Sequence, residues 1–476
     1  MTGTATPRVH AAGRLRQPEA WVVAAVGAAL YTLVAVLQWR RLEAPSWDLA
    51  IFTQLAKAYA SLEAPVVPIK GPGFNLLGDH FHPILVLLGP VYALLPSGLT
   101  LLVVQALLVG VSAGPLTALA VRRLGRGPGL AIGAVYLLSH GIQGAVRSQF
   151  HEVAFALPLL SFGLCALLER RWRAAALWLA PLVLVKEDLG LLVLVLGLVI
   201  RYRGARRVGT GLALWGTAWS VLATAVVLPA LNPRDRYDYT DNLAVGDVLG
   251  DPLGSLAAFA GPGEKVVTVL LLVAVAGVVG VRSPILLAAV PTLAWRFLGD
   301  VPFYWSWMWH YDAVLMPLAV AALLDSIPRP TASEPADPAA ASHRRRVAGA
   351  LGAAGLAVVL AAPGLPVAGL LSAETWRPAP RAEAAREVLA TVPEGAVVAS
   401  DIALLAYLVP TTTALWSGTP DNPVADYYVV DRQNATWGGN PPDDAAAYAE
   451  GKHPGTRYEL VLDRDGYQVA RLVDGG

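Results

Sequence analysis

Cysteine is all but missing from this chain of 476 residues: Cys165 is the only one, and it sits in an apolar run. That excludes an intrachain disulfide and a thiolate zinc cage, and it leaves the redox compartment undetermined. Charge is scarce as well, at 15% of residues where a soluble globular chain carries about 25%. With 55% hydrophobic residues and a mean hydropathy of +0.52, the composition is that of a polytopic membrane protein. No basic-aromatic patch of the kind that reads nucleic acid is present. No repeat of fixed period is visible. Nor does a small-residue cleavage site follow the first apolar stretch, which Arg8, Arg14 and Arg16 precede, so it reads as an uncleaved first span.

What the chain does have is apolar runs. Eleven are long enough to cross, or nearly cross, a hydrocarbon layer of ~30 Å: 20–38, 98–121, 128–142, 152–169, 173–185, 188–201, 208–229, 264–281, 284–298, 311–326 and 347–371. With the N-terminal tail (1–19) in the cytoplasm, this scheme puts every arginine-rich loop inside: Arg122 to Arg126, Arg170 to Arg173, Arg201 to Arg207, Arg282 and the Pro/Arg-rich loop 327–346. The positive-inside rule is then met throughout. It requires that 80–96, broken by Pro83, Pro90 and Pro96, stay in the external loop 39–97 as an interfacial or re-entrant segment. In the same loop Ile51, Phe52, Leu55 and Tyr59 recur at helical spacing, which predicts a helix lying along the membrane surface.

The expected fold is therefore all-α and polytopic, with a transmembrane domain over 20–371 and a small α/β domain over 372–476. In that domain a helix is expected at 381–391, strands at 396–399 and 427–430, and a hairpin of 458–462 with 467–473 turning through Asp465-Gly466. An odd number of spans places it outside.

The residues able to do chemistry gather on that same external side: Trp47-Asp48, Asp79-His80-Phe81-His82, His151-Glu152, Lys186-Glu187-Asp188 and His310-Tyr311-Asp312. Ionisable groups are costly beside hydrocarbon, so a one-sided set from distant segments reads as a site. Each also has a plainer reading. Asp48 suits the first turn of a helix, where the dipole favours an acid, and Ser46 can cap it. His151 and Glu152 suit an interfacial ion pair with Arg147. Lys186, Glu187 and Asp188 suit a solvated turn. His80 and His82 beside Asp79 can hold a phosphate or a divalent metal ion, with spacing too loose to specify which. Arg296 with His310 suits a pyrophosphate or lipid phosphate.

These residues carry a resemblance. W-D-L-x-I-F-x-Q at 47–54, D-H-F-H-P at 79–83, F-H-E at 150–152, K-E-D at 186–188 and H-Y at 310–311 resemble an uncharacterised family of bacterial polytopic membrane proteins, over roughly 20–325. More distantly the plan is similar to the GT-C superfamily of membrane glycosyltransferases: an uncleaved first span, a long external loop with an acid near its start, a span ending in a double arginine (Arg122-Arg123), and a closing external domain. The resemblance implies a sugar carried on a polyprenyl phosphate and transferred on the outer face of the plasma membrane to a cell-envelope acceptor. By position Asp48 matches the superfamily's catalytic base. The chain departs from the common paired acids there, which keeps Asp79 and Glu152 open for that role, and the histidines around 80–82 are not a superfamily feature.

On this reading Asp48, Asp79 or Glu152 deprotonates the acceptor. Arg147, Lys186, Arg296 and His310 neutralise the leaving phosphate, and His80 and His82 hold phosphate directly or through a divalent ion. His151, Glu187, Asp188 and Tyr311 complete the substrate-binding set. The rival expectation is a transporter or flippase for a polar or lipid-linked solute, whose usual internal repeat is not seen; a third is a scaffold in envelope assembly.

Overall fold

The computed structural model describes residues 17–239, 261–299, 301–328 and 338–474. The arginines of the N-terminal tail, residues 240–260 and residues 329–337 of the Pro/Arg-rich loop lie outside them. Helices fill the first three quarters of the chain, and a five-stranded sheet closes it.

Among the described residues, four helices are long and apolar enough to cross a membrane: Pro18–Arg40, Gly98–Leu124, Arg126–Arg147 and Arg206–Leu231. A fifth candidate, Pro302–Asp312 with Leu315–Ser326, is bent by 68°. The other apolar segments form helices of 10–17 residues, Glu152–Leu168, Trp172–Leu184, Leu189–Tyr202 and Pro284–Leu298 among them. The eleven-span count is thus finer than helix length and composition establish. Local chemistry sets the boundaries. Ser97 caps Gly98–Leu124 by accepting the Leu99 amide at 3.2 Å. Arg122 and Arg123 occupy the last turn, where the dipole favours cations, and Gly125 ends it at φ +89°.

The segment after His82 forms the helix Pro83–Leu94, of which Leu85, Leu88 and Tyr92 are buried and Val86, Leu87, Val91 and Leu94 exposed. Twelve residues at 1.5 Å each reach about 18 Å, short of a crossing. The helix Trp47–Ala60, capped by Ser46 at 3.1 Å, differs from the surface helix expected. Both its faces are buried, because its polar side chains bond to the C-terminal domain: the Gln54 amide donates to the Ala414 carbonyl (3.0 Å), and Lys57 donates to the carbonyls of Val409 (2.9 Å) and Thr412 (3.0 Å).

The sheet holds β1 (Val397–Ser400), β2 (Thr413–Trp416), β3 (Tyr427–Asp431), β4 (Arg457–Arg464) and β5 (Tyr467–Asp474) in the order β2-β1-β3-β5-β4. β1 is parallel to β2 and β3, and β5 is antiparallel to β3 and β4. The expected hairpin is present, with left-handed Asp465 (φ +51°) and Gly466 (φ +85°) making its two-residue turn. β2 and the helix Ala445–Lys452, whose cap Asp444 accepts the amides of Ala446 and Ala447, were not expected. Trp416 at the end of β2 meets Trp47 edge-on at 4.6 Å, so the carboxyl ends of the parallel strands face the Asp48 end of the buried helix.

Candidate functional site

The site is built where helices break. The helix His140–Arg147 follows a kink at Ser139, and the chain then leaves helical geometry through Gln149 (φ +68°) to His151. Gln105, from the long helix Gly98–Leu124, meets the backbone freed there: its amide donates to the carbonyls of Ala145 (3.3 Å) and Gln149 (2.9 Å), and its oxygen accepts the His151 amide (3.1 Å). Opposite runs 308–312, drawn close by two glycines. A Cβ on Gly141 would lie 2.6 Å from the Asp312 carbonyl oxygen, and one on Gly144 2.6 Å from that of Trp309.

That approach stacks the imidazoles of His151 and His310, centroids 3.6 Å apart and planes 21° apart. The other side of His151 meets Asp48, with Nε2 3.3 Å from Oδ2. Phe52, one turn on from Asp48, sets its ring edge-on to His151 (6.1 Å) and to His82 (5.8 Å). Tyr311 lies against His310 at 4.0 Å. Asp312 points inward, fully buried, and holds both Arg296 and, at 3.0 Å, His140.

A second layer joins the loop 70–82 to the turn 186–188. Glu187 accepts from His80 Nδ1 (2.7 Å), from the Phe81 amide (3.0 Å) and from the Tyr237 hydroxyl (3.0 Å). Lys186 pairs with Glu152 at 3.0 Å, and Asp188 accepts the Trp295 indole N–H at 3.0 Å. Asp79 pairs with Lys70 at 2.9 Å and takes the Tyr239 hydroxyl at 3.4 Å, while the Tyr239 ring stacks on His80 at 4.4 Å. Burial alone opposes ionisation of Asp79, but the charges of His80 and Lys70 outweigh it and hold its carboxyl below the usual range. His82 is buried without a partner for Nδ1, and that burial pushes it down to about 4. The expected metal trio fits poorly: Asp79, His80 and His82 each turn to a different neighbour. No group of three or more His, Cys, Asp or Glu among the described residues is placed to hold a metal ion.

The five clusters thus meet in one region, and most of their charge is spent inside it. Lys70 answers Asp79, Lys186 answers Glu152, His80 answers Glu187, and Arg296 with His140 answers Asp312. Two groups differ. Asp48 has His151 alone, and 47% of its side chain is exposed. Arg147 is exposed and has no carboxylate partner among the described residues; its guanidinium lies 5.6 Å from the Trp309 ring and 3.5 Å from the Met308 sulfur. It opens on a cleft of about 520 Å³ whose other walls include Val34, Leu37, Leu365 and Leu370. The sequence reading gave no site role to His140, Lys70, Trp295, Tyr237 or Tyr239, and it took Phe52 only as part of a surface helix.

The chain belongs to the family described as "Predicted membrane protein (DUF2079)", which it matches over residues 38–469. No curated protein matches the sequence. Among solved structures it is similar to ArnT from Cupriavidus metallidurans bound to undecaprenyl phosphate, at 13% identity and a TM-score of 0.53, covering 96% of this chain and 98% of that one. At that identity the likeness is one of fold. The family expected from the sequence is borne out, and the fold is similar to that of ArnT from end to end.

Proposed function

We propose that this family member is an integral membrane glycosyltransferase of inverting type, moving a sugar from a polyprenyl-phosphate-type donor to a cell-envelope acceptor on the outer face of the plasma membrane. The observation that carries the reading is exposure joined to charge pairing: the site's other acids and cations are buried or paired within it, whereas one acid, Asp48, and one cation, Arg147, stay open to a ligand. A displacement at an anomeric carbon needs these two. Asp48 takes the proton of the acceptor hydroxyl as its oxygen attacks; the bond from the anomeric carbon to the phosphate oxygen breaks, and Arg147 neutralises the lipid phosphate that leaves. One displacement inverts the centre. The cleft beside Arg147 offers the prenyl chain an apolar side at Val34, Leu37, Leu365 and Leu370, with the paired Arg41 and Glu43 on its polar side. His151 fixes the carboxylate of Asp48, and its stacking on His310 fixes His151. Asp79 and Glu152, each held by a lysine, are less suited to accept a proton.

Arg296, Lys186 and His310 then serve a different end from phosphate binding: they position the site by holding Asp312, Glu152 and His151. The eleven-crossing topology belongs to the same proposal, with the C-terminal domain outside over the Asp48 helix. A domain seated over that helix suits delivery of an acceptor and opposes passage of a solute, which disfavours the transporter reading. The test is transfer of labelled sugar from a polyprenyl-phosphate donor by purified protein. A protein that binds the donor, neither transfers nor hydrolyses it with any envelope fraction, yet moves it across vesicles would decide for the transporter.

A further inference from the structure

The parallel part of the sheet reverses direction beside β1. From β1 the chain goes out to β2 on one side, then returns past β1 to β3 on the other. In open α/β sheets such a switch point leaves a crevice at the carboxyl ends of the strands, where ligands bind. Here a cavity of about 550 Å³ lies at that position, between the ends of β1 and β3 and the turn Arg41–Pro45 that leads into Asp48.

Its walls hold two cations and two anions, each spent on the other. Arg381 forks onto the Asp431 carboxylate (3.1 and 2.6 Å), and Arg41 onto that of Glu43 (2.6 and 2.8 Å). Asp401 lies beneath, buried, and fixes the loop after β3 by accepting the amides of Ala403 (2.7 Å) and Asp431 (2.5 Å) and the side chain of Asn434 (3.1 Å). What faces the cavity is thus charge-balanced and largely apolar, with Leu42, Pro45, Ile402 and Ala435 beside Asn434 and Thr436, and with the buried Tyr467 ring, covered on one face by Arg381, at its base. An ionic ligand would find no uncompensated opposite charge; a neutral sugar ring, with C–H faces and hydroxyl edges, would find apolar wall on one side and the polar edge of Asn434 and Thr436 on the other.

We propose that this crevice binds the uncharged glycan portion of the acceptor and directs its hydroxyl toward Asp48. This rests on the transferase reading, but it concerns a separate place in the molecule. The Pro45 turn, which lines the crevice, is three residues from Asp48, so a bound oligosaccharide needs only a short reach to the base.

The test uses the full chain in detergent, without donor, and a panel of uncharged pentose and hexose oligosaccharides read by saturation-transfer NMR. We expect saturation transfer to at least one of them, lost in Ala435→Trp, which fills the crevice without removing any bond named above, and kept in Asp48→Asn. Thr436→Tyr on the same wall serves as the second blocking variant if Ala435→Trp lowers the melting midpoint. No transfer to any oligosaccharide overturns the proposal, as does transfer that survives both blocking variants. Binding of uronate-containing oligosaccharides tenfold tighter than neutral ones overturns the assignment of a neutral ligand. Since no donor is present, a failed sugar-transfer assay cannot produce these outcomes, and the crevice can fail while transfer succeeds.

Discussion

His151 stands between Asp48 and His310, with a carboxylate oxygen 3.3 Å from its Nε2 and an imidazole stacked 3.6 Å from its ring. Those contacts bring the first external loop, the break after Arg147 and the start of the tenth apolar run to one point. The stack also leaves Asp48 more open than any other acid of the site, which is what makes it separable by mutation.

Asp48→Asn keeps the size and helix-capping ability of the side chain and removes only its capacity to take a proton. Transfer is expected to fall by ~10²-fold or more while donor binding persists. Near-normal turnover would return Asp48 to the role of a first-turn acid and move the base to Asp79, then Glu152.

Arg147 and Arg296 should behave in opposite ways. Arg147→Ala removes an exposed cation that holds no carboxylate, so the melting midpoint in detergent should stay put while the Kd for polyprenyl phosphate rises about tenfold or more, the scale of a lost charged hydrogen bond. Arg296→Met leaves the fully buried Asp312 with His140 alone and should cost about 3–5 kcal/mol of stability. Arg296→Met with Asp312→Leu should recover most of that loss. A stable Arg296→Met single variant would show that the pair is not what holds the two segments together.

The two glycines facing 308–312 admit a direct check. Gly141→Ala and Gly144→Ala each force a methyl to within 2.6 Å of a backbone oxygen, so the segments must part. Both should lower the melting midpoint and slow transfer, because His310 moves off His151. Gly349→Ala, at a glycine with open space around it, should do neither.

Much of this site is legible in the sequence because ionisable residues inside apolar sequence are rare, and all five clusters announce themselves in that way. Their pairing is not legible. Nothing in H-Y-D at 310–312 says that the aspartate turns inward to Arg296 and His140 while the histidine stacks on His151; that depends on Gly141 and Gly144 admitting a close backbone. Helix breaks are hidden for a related reason. Residues 269–281 are uniformly apolar, and hydropathy is blind to the left-handed pair Gly277 (φ +63°) and Val278 (φ +61°) that ends Gly263–Val275. The helix Trp47–Ala60 looked amphipathic because Gln54 and Lys57 are polar, yet their bonds to 409–414 bury that face as well. The hairpin through Asp465-Gly466 could be read directly, since its turn chemistry is local; β2, four residues without alternation, could not.

His82 gives the chain a response to acid with a definite sign. Its buried imidazole is held near 4, while the unfolded chain titrates near its ordinary 6.5, so between those values the unfolded state binds a proton that the folded one does not. Stability therefore falls on acidification through that window, by at most about 1.4 kcal/mol per pH unit from this residue. His82→Phe, which keeps an aromatic edge against Phe52, should flatten the slope of melting midpoint against pH between 6.5 and 4. An unchanged slope would mean that His82 is protonated in the folded protein.

The difference in helix length also has a bearing on where the protein can live. Pro18–Arg40, Gly98–Leu124 and Arg126–Arg147, of 23, 27 and 22 residues, pack together, whereas Glu152–Leu168 beside them and Trp172–Leu184 and Leu189–Tyr202 beyond it have only 17, 13 and 14. On the eleven-crossing topology proposed above, the bundle meets lipid at two heights, and the bilayer next to the short helices puckers toward them, at a fraction of a kcal/mol per Å of mismatch. A thin skirt of lipid on that flank would bring the external headgroups down toward the depth of Lys186 to Asp188. Acyl chain length, more than headgroup charge, should then set how fast the purified protein works in reconstituted vesicles.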